Sequence, residues 1–264
     1  MIGTVDEFDC LEYGEVFVQF SKDIDKPKQD AEVLTRSVVV TKNPCFHPGD
    51  MRKFKAVDRV DLRHMVDCIV FPAKGLRPHP NEISGSDLDG DMYFVCWEES
   101  LIPPEENKQA MDFTPQEKQV LSRQVTEADM IKFIGHYIDS DQLGIIANAH
   151  LVHADSKGIN CSECIQIAQT HSNAVDFPKT GQVQKLCQTL RPASYPDYMM
   201  KTDKPSYISN KVIGQLFQQC RTIELSNEFR KLEQDVPDPD PDLIFPGHET
   251  YLEGARAMKA TYMK

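Results

Sequence analysis

The sequence predicts an α+β fold in which a compact β region precedes a mostly helical one. Up to Trp97, short runs of β-branched and aromatic residues are separated by loops rich in proline and glycine, which is typical of a small β-barrel or sandwich. After Pro104 the composition changes, and apolar residues soon recur at helical spacing. We therefore expect residues 1–104 to form the β region and residues 105–264 the helical region.

The first region has three clear strand signals and one rigid loop. Residues 11–20 and 36–42 are rich in β-branched or aromatic residues, and residues 68–71 form a short apolar run. The loop at residues 43–50 contains two prolines and a glycine, so we expect it to have a fixed shape. His47 in this loop fits either a turn residue or a group that faces a functional site.

The second region shows amphipathic helical patterns. Thr126 begins a capping pattern, and apolar residues follow at helical spacing up to Ile138. Further helices are expected at residues 142–150, 161–175, 207–232 and 249–262. Proline and aspartate alternate at residues 235–242, which indicates an extended acidic linker.

Composition limits the class of protein. The chain has 264 residues and a formal net charge of -12. No stretch approaches the apolar length of a membrane helix, and the first residues lack the basic and apolar parts of a signal peptide. We therefore expect an intracellular protein, cytoplasmic or nuclear, with no membrane partner. The eight cysteines are scattered, so we expect reduced thiols rather than disulfides.

Charge is distributed unevenly along the chain. Between Arg36 and His79, nine Lys or Arg residues occur with four Asp, a balance of +5. From Pro80 to Asp112, nine acids occur with Lys108 alone, a balance of -8. A basic stretch beside an acidic one could grip a polyphosphate or a nucleic-acid backbone while the acids hold a cation. The alternative is chance segregation on two solvated faces.

The strongest chemical signal is the segment 84–91, which contains Asp87, Asp89 and Asp91. Residues two apart point away from each other on a helix, and an extended strand would separate the outer two by roughly 13 Å. A bend at Gly90 would gather the three carboxylates, since glycine tolerates positive φ. Such a cluster repels itself unless a cation binds, and oxygen-only ligands suit magnesium. We therefore expect a Mg²⁺ site here, at which Mn²⁺ could substitute.

Two other interpretations of this segment stay open. A calcium loop would match the aspartates at its positions 1, 3 and 5, but it requires glycine at position 6, where this chain has Met92. A solvated acidic turn at the end of a strand is the simpler alternative. The third aspartate, the glycine hinge and the apolar run that follows favour the metal site over that turn.

Basic residues occur near the acidic segment and far along the chain. Lys74, Arg77 and His79 precede the aspartates on a loop from which cations could neutralise phosphate charge. Lys179 lies in a turn that contains proline and glycine after a predicted helix, where it could reach an anion. For each of these residues, a solvated side chain is the alternative.

Several segments together resemble one family. Residues 84–91, with the sequence SGSDLDGD, resemble the catalytic signature of the eukaryotic cellular RNA-dependent RNA polymerases of RNA silencing. Further segments resemble the family in the expected order, at residues 11–18, 42–50, 77–82, 143–150 and 171–181. The resemblance covers nearly the whole chain and fades after about Gly214.

The resemblance implies a double-psi β-barrel for the first hundred or so residues, and Asp87, Asp89 and Asp91 as catalytic ligands of magnesium. The residues expected to contact nucleotide or RNA phosphates are Lys42, Lys74, Arg77 and Lys179. Implied partners are RNA template and product, nucleoside triphosphates and other silencing proteins. Family members are longer and build their active cleft from two barrels. We therefore expect this chain to be the C-terminal catalytic part, without the upstream barrel.

We predict an RNA-directed RNA polymerase, which performs template-directed, Mg²⁺-dependent nucleotidyl transfer in RNA silencing and small-RNA production. Two alternatives remain. A non-catalytic fragment would bind RNA or a partner protein without making product, because half of the cleft is absent. A metal-dependent nuclease would use the same acidic cluster to shorten RNA rather than extend it.

Overall fold

The structure is a computed structural model that describes residues 1–23, 25–26, 30–222 and 244–262. The chain divides into two compact units, Met1–Lys211 and Val212–Lys264. The first unit contains a mixed β-sheet followed by helices, which confirms the predicted α+β class. The division expected at residue 104 stays a prediction. The last strand of the main sheet ends at Cys96, and the first long helix begins at Glu127.

Seven strands form the main sheet, and the three predicted strand segments each contain one of them. The strands are β1 (Ile2–Val5), β2 (Glu15–Phe20), β3 (Glu32–Val33), β4 (Ser37–Lys42), β5 (Arg52–Ala56), β6 (Cys68–Phe71) and β7 (Tyr93–Cys96). Their spatial order is β1, β6, β2, β5, β4 and β7, and β3 pairs with β2. The pairs β1–β6 and β2–β5 are parallel, and the other pairs are antiparallel.

The two ends of this sheet meet. An isolated bridge joins Ile2 on β1 to Met92, immediately before β7, and the Gly3 N–H donates to the Asp91 carbonyl oxygen over 3.2 Å. A Cβ at Gly3 would clash with the Tyr93 ring, so only glycine allows this close approach. The sheet therefore curls around its own apolar side chains, and the segment with the three aspartates lies where its ends meet.

Strand β2 is buried on both faces. Val16 and Val18 pack in the core inside the curled sheet, whereas Phe17 packs on the other face against Leu11 and Leu62. Full burial of such a side chain contributes roughly 1.5–3 kcal/mol relative to exposure. Burial on both faces explains why this strand is a continuous apolar run rather than an alternating one.

The first unit also contains helices, the first of which lies between β6 and β7 whereas the others follow the sheet in the chain. They are α1 (His79–Glu82), α2 (Glu127–Ser140), α3 (Leu143–Lys157), α4 (Ser162–Val175) and α5 (Phe177–Thr180). Helix α2 begins with the predicted capping box, since the Thr126 N–H donates to the Asp129 carboxylate over 2.9 Å. Helices α3 and α4 pack together through Ile146, Ala149 and Ile167.

Two short strands and two further helices complete the described chain. Strands β8 (Tyr195–Pro196) and β9 (Ser206–Tyr207) pair in parallel. Helices α6 (Val212–Thr222) and α7 (Leu252–Tyr262) belong to the second unit. The rest of the helix expected at residues 207–232, beyond Thr222, and the linker expected at 235–242 lie outside the described residues. Among the helices that are described, none is long and apolar enough to cross a membrane.

Candidate metal centre

The aspartate loop, residues 84–91, is a tight turn between α1 and β7. Four of its residues have positive φ, namely Ser84, Gly85, Leu88 and Gly90. This winding brings one carboxylate oxygen from each of Asp87, Asp89 and Asp91 to within 4.8 Å of the others. The predicted bend at Gly90 is therefore present, with φ of 125°, and it is one of several rather than the only one.

Leu88 fixes the direction of the flanking aspartates. Its side chain is half-buried and packs against the core inside the curled sheet, whereas Asp87 and Asp89 are exposed. A leucine at φ of 66° is strained by roughly 1–3 kcal/mol, and the apolar contact of its side chain offsets that cost. The inward Leu88 thus leaves the two neighbouring carboxylates on the outer side of the loop.

Lys42 contributes a cation to the loop. It is the last residue of β4 and pairs in register with Tyr93, two residues after Asp91. Its Nζ lies 2.6 Å from Asp91 Oδ1, and both side chains are less than a quarter exposed. The antiparallel β4–β7 pair therefore places a positive charge against the acidic cluster, which reduces the repulsion among its members.

Asp50 connects the aspartate loop to the loop at residues 43–50. Its carboxylate accepts the N–H groups of Phe46 (3.3 Å), His47 (2.9 Å) and Ser84 (3.2 Å). Burial raises the pKa of Asp50, and the donated N–H groups partly oppose that rise. Asp50 ends a short 3₁₀ turn, Pro48–Asp50, which begins after His47. The His47 Nδ1 caps this turn by accepting the Gly49 N–H over 3.0 Å.

A buried polar network lies under α1, immediately before the aspartate loop. Glu82 accepts hydrogen bonds from the Tyr13 hydroxyl (3.0 Å) and the His79 Nδ1 (2.6 Å), and its carboxylate lies 3.2 Å from the Arg52 guanidinium. The Gly14 N–H donates to His79 Nε2 over 2.9 Å, which requires an unprotonated Nε2. Burial lowers the pKa of His79 accordingly. The expectation that His79 offers a mobile cation is therefore wrong.

The aspartate loop opens into a cavity of about 320 Å³. One side, which we call the sheet wall, consists of Lys42, the loop at 44–50 and the aspartate loop. A second side, which we call the helical wall, includes His171, Ser172 and Val175 on α4 together with Asp176 and Lys179. The same cavity is thus lined by an acidic cluster of the β region and by a helix that begins about 70 residues later in the chain.

The predicted basic residues are distributed unevenly around this cavity. Lys42 and Lys179 line it, with Lys179 Nζ 3.7 Å from Asp176. Lys74 pairs with Glu12 over 2.7 Å and is not among the described residues that line the cavity. Arg77 is also outside the lining, and it donates to the Met111 carbonyl oxygen over 2.7 Å. Phosphate contacts by these four residues stay predictions.

Two of the lining residues that the sequence analysis did not propose contact each other. Phe46 and His171 form a ring pair with centroids 4.0 Å apart, across the boundary between the two walls. The signal for His171 was present, because residues 171–181 resembled the family, but that resemblance assigned it no contact. Its proximity to Phe46 depends on tertiary packing that the local pattern does not contain.

The donor set fits a hard divalent cation. The three carboxylates present oxygen ligands only, within 4.8 Å of one another, and two of them are exposed. Neither histidine nor cysteine contributes to this cluster, which disfavours zinc and copper relative to magnesium, manganese or calcium. The aspartate cluster could therefore bind a divalent metal ion.

Comparison with known proteins gives consistent matches. The model of the family described as RNA dependent RNA polymerase matches residues 1–220. RNA-dependent RNA polymerase 1 of Arabidopsis thaliana is 46% identical over 267 residues, covering 99% of this chain and 24% of that protein. RNA-dependent RNA polymerase 1 of Schizosaccharomyces pombe is 34% identical over 252 residues, covering 89% of this chain and 20% of that protein.

A solved structure shares the fold. The RNA dependent RNA polymerase QDE-1 from Thielavia terrestris matches with a TM-score of 0.57 and 23% identity, covering 99% of this chain and 32% of that one. At that identity the likeness concerns the fold alone. The chain spans about a quarter to a third of the length of the curated relatives that match 99% of it.

Proposed function

The chain belongs to the RNA-dependent RNA polymerase family, as its resemblance predicted, and we propose that it carries the metal-binding part of an RNA-directed RNA polymerase. The observation that carries this proposal is the aspartate cluster. Three carboxylates within 4.8 Å of one another line a cavity that also contains Lys42 and Lys179. A site with clustered acids and nearby cations suits a substrate that brings both a metal ion and phosphate groups.

The proposed reaction is nucleotidyl transfer. The 3′-hydroxyl of an RNA attacks the α-phosphate of a nucleoside triphosphate, a new phosphodiester bond forms, and pyrophosphate leaves. Asp87, Asp89 and Asp91 would hold Mg²⁺, or Mn²⁺ in its place, at the reacting phosphate. The metal, when bound, supplies positive charge beside that phosphate and favours ionisation of the attacking hydroxyl.

The remaining groups of the site act on charge and position. Lys42 pairs with Asp91 and would place a second positive charge near the phosphates, and Lys179 would do so from the helical wall. Lys74 would first have to leave Glu12, and Arg77 the Met111 carbonyl oxygen, so these two residues are the weaker candidates for phosphate binding. Asp50 and Leu88 would hold the aspartate loop in place through the contacts described above.

A double-psi β-barrel is the finer fold that we propose for the curled sheet. Two features support it. The sheet combines parallel and antiparallel pairs, and the bridge from Ile2 to Met92 connects its first and last strands. The aspartate loop leads into β7, so a barrel would hold the metal site next to a rigid strand.

The proposed substrates are an RNA template, an RNA primer or product end, and nucleoside triphosphates. The template would be read by base pairing, so the protein needs no base-reading motif, and its contacts with the RNA backbone would weaken as salt concentration rises. A role in RNA silencing, with other silencing proteins as partners, is part of the same proposal. It is supported by the relatives named RNA-dependent RNA polymerase in plants and fission yeast.

The proposal is tested by RNA extension. The chain is incubated with single-stranded RNA, labelled nucleoside triphosphates and Mg²⁺, alone and together with the upstream half of a polymerase of this family. We expect labelled RNA longer than the input strand, and we expect Asp89→Ala to abolish it. Glu99→Gln is the matched control, because Glu99 is an exposed acid near the end of β7 that does not line the cavity.

The alternatives give different products in the same assay. RNA that becomes shorter with Mg²⁺, and stays intact with Asp89→Ala, would indicate a nuclease. RNA that is bound but never extended, even with the upstream half present, would indicate a binding fragment. Extension that survives Asp89→Ala would contradict the assignment of the metal site.

A further inference from the structure

His171 is a polar residue that the proposed chemistry leaves without a role. It lies on α4 and lines the cavity, although only 8% of its surface is exposed. Neither ring nitrogen has a hydrogen-bond partner among the described residues, and neither nitrogen is fully enclosed by protein. A buried polar group normally has a partner, so a side chain of this kind that borders a cavity indicates a ligand group.

The surroundings of His171 determine what kind of group that is. Its ring packs on Phe46 at 4.0 Å between centroids, and burial lowers its pKa to about 4, with a smaller effect of the same sign from His150. The ring is therefore neutral near pH 7, with one N–H donor and one nitrogen acceptor. A phosphate group offers only acceptors and favours a cation, so it is a poor match for this ring.

A hydroxyl group matches a neutral imidazole, because it both donates and accepts. On a nucleotide, hydroxyl groups belong to the ribose. The ribose is also common to all four nucleotides, whereas the base edges would be occupied by pairing with the template. The flat Phe46 ring beside His171 offers the apolar surface against which a sugar can pack.

We propose that His171 and Phe46 form a ribose-binding site at the boundary between the two walls, in which the His171 ring hydrogen-bonds to a sugar hydroxyl of the nucleotide held by the aspartate loop. This proposal rests on the function proposed above, since it places a nucleotide in the cavity. It assigns His171 as a specificity-determining residue that recognises one of the two hydroxyl groups of the ribose.

The test measures binding of three probes to the 264-residue chain in Mg²⁺, without RNA, by ligand-observed NMR titration. The probes are ATP, 2′-deoxyATP and 3′-deoxyATP. We expect ATP to bind about three- to tenfold more tightly than one of the two deoxy analogues, which is the range for a single neutral hydrogen bond. The analogue that loses affinity identifies the hydroxyl as 2′ or 3′, and either result supports the proposal.

Two variants of His171 then separate the contact from a packing effect. His171→Ala should bind ATP as weakly as the wild type binds the weaker deoxy analogue, so that the preference for ATP disappears. The affinity of His171→Ala for that analogue should equal the wild-type value. His171→Asn retains donors and an acceptor and should keep part of the preference. His150→Asn is the matched control, because His150 also contacts the Phe46 ring but does not line the cavity, so it should retain the full preference.

Three results would overturn the ribose site: equal binding of all three probes by the wild type, an unchanged preference in His171→Ala, or no binding of ATP. Failure of the proposed polymerase function would look different. If Asp89→Asn bound Mg²⁺ and ATP like the wild type while His171→Ala lost the preference, the metal assignment would fail and the ribose site would stand.

Discussion

One wall of the cavity carries three aspartates on a strained loop and a lysine at the end of β4, whereas the other wall carries a neutral, buried histidine on a regular helix. The sheet wall is supported by charged groups, since Lys42 pairs with Asp91 and the Glu82 network lies just before the loop. The helical wall is supported by apolar packing of α3 against α4 through Ile146 and Ile167. The two walls should therefore respond differently to mutation, to pH and to cations.

This difference follows from what each wall would bind. Clustered negative charges repel one another unless a cation or solvent screens them, and two of the three aspartates are exposed. A neutral ring, in contrast, keeps its charge state through burial, and His171 is buried. A nucleotide has the same division, with charged phosphates at one end and an uncharged sugar and base at the other.

Removing the Glu82 carboxylate should have the largest effect on stability. Glu82→Ala leaves the Arg52 guanidinium buried without its partner, which costs about 3–5 kcal/mol in the free energy of unfolding. Urea denaturation followed by the fluorescence of Trp97, which stacks on Phe20, measures this loss. Glu32→Ala breaks an exposed pair with Lys22 and should cost less than about 1 kcal/mol. Equal losses of unfolding free energy in the two variants would contradict the claim that the Glu82 network stabilises the sheet wall.

Acid should lower the free energy of unfolding, because it protonates His171 on the helical wall. The pKa of His171 is lowered to about 4 in the folded chain, below the value near 6.5 expected when unfolded. Between these values the unfolded chain binds more protons, so the stabilisation by the neutral ring is complete above pH 6.5 and is lost as pH falls towards 4.

His171→Asn removes this titration and isolates its effect. Between pH 7.5 and pH 4.5, the wild type should lose about 2–3 kcal/mol more of its unfolding free energy than the variant does. Urea titrations at the two pH values measure the difference. His64→Asn, which changes an exposed histidine, should follow the wild type. Parallel losses in wild type and His171→Asn would show that the ring is not buried in its neutral form.

Replacing Lys42 should change the affinity of the site for cations. We expect this effect to be smaller than the two losses of unfolding free energy described above. Lys42→Met removes a positive charge that lies 2.6 Å from Asp91, so Mn²⁺ should bind roughly tenfold more tightly at low salt. Lys74→Met is the control, because Lys74 pairs with Glu12 outside the cavity lining and should leave the Mn²⁺ affinity unchanged. The same Mn²⁺ affinity in Lys42→Met as in the wild type would place the ion away from Asp91.

The sequence was most informative about the sheet wall, because its chemistry is local in the chain. Asp87, Asp89 and Asp91 lie within five residues, so their spacing and Gly90 were enough to predict a gathered cluster. The predicted strands β2, β4 and β6 were likewise apparent from short apolar runs. The positive φ of Leu88 was not apparent, because it depends on the core into which that side chain packs.

The helical wall was less accessible to prediction, because its groups meet only after folding. Phe46 and His171 are separated by 125 positions, and their contact depends on how α4 packs beside the loop at 43–50. Burial also reversed one expectation. His79 follows two basic residues in the sequence, yet its ring is enclosed between Gly14 and Glu82 and stays neutral. Charge counted along the chain does not predict charge at a site.

The central claim is that the three aspartates form one divalent metal site, and titration with Mn²⁺ monitored by electron paramagnetic resonance tests it most directly. We predict one Mn²⁺ per wild-type chain, at least about tenfold weaker binding by Asp89→Asn because a charged ligand is lost, and unchanged binding by Glu99→Gln. Equal Mn²⁺ affinity in Asp89→Asn and the wild type would contradict the claim.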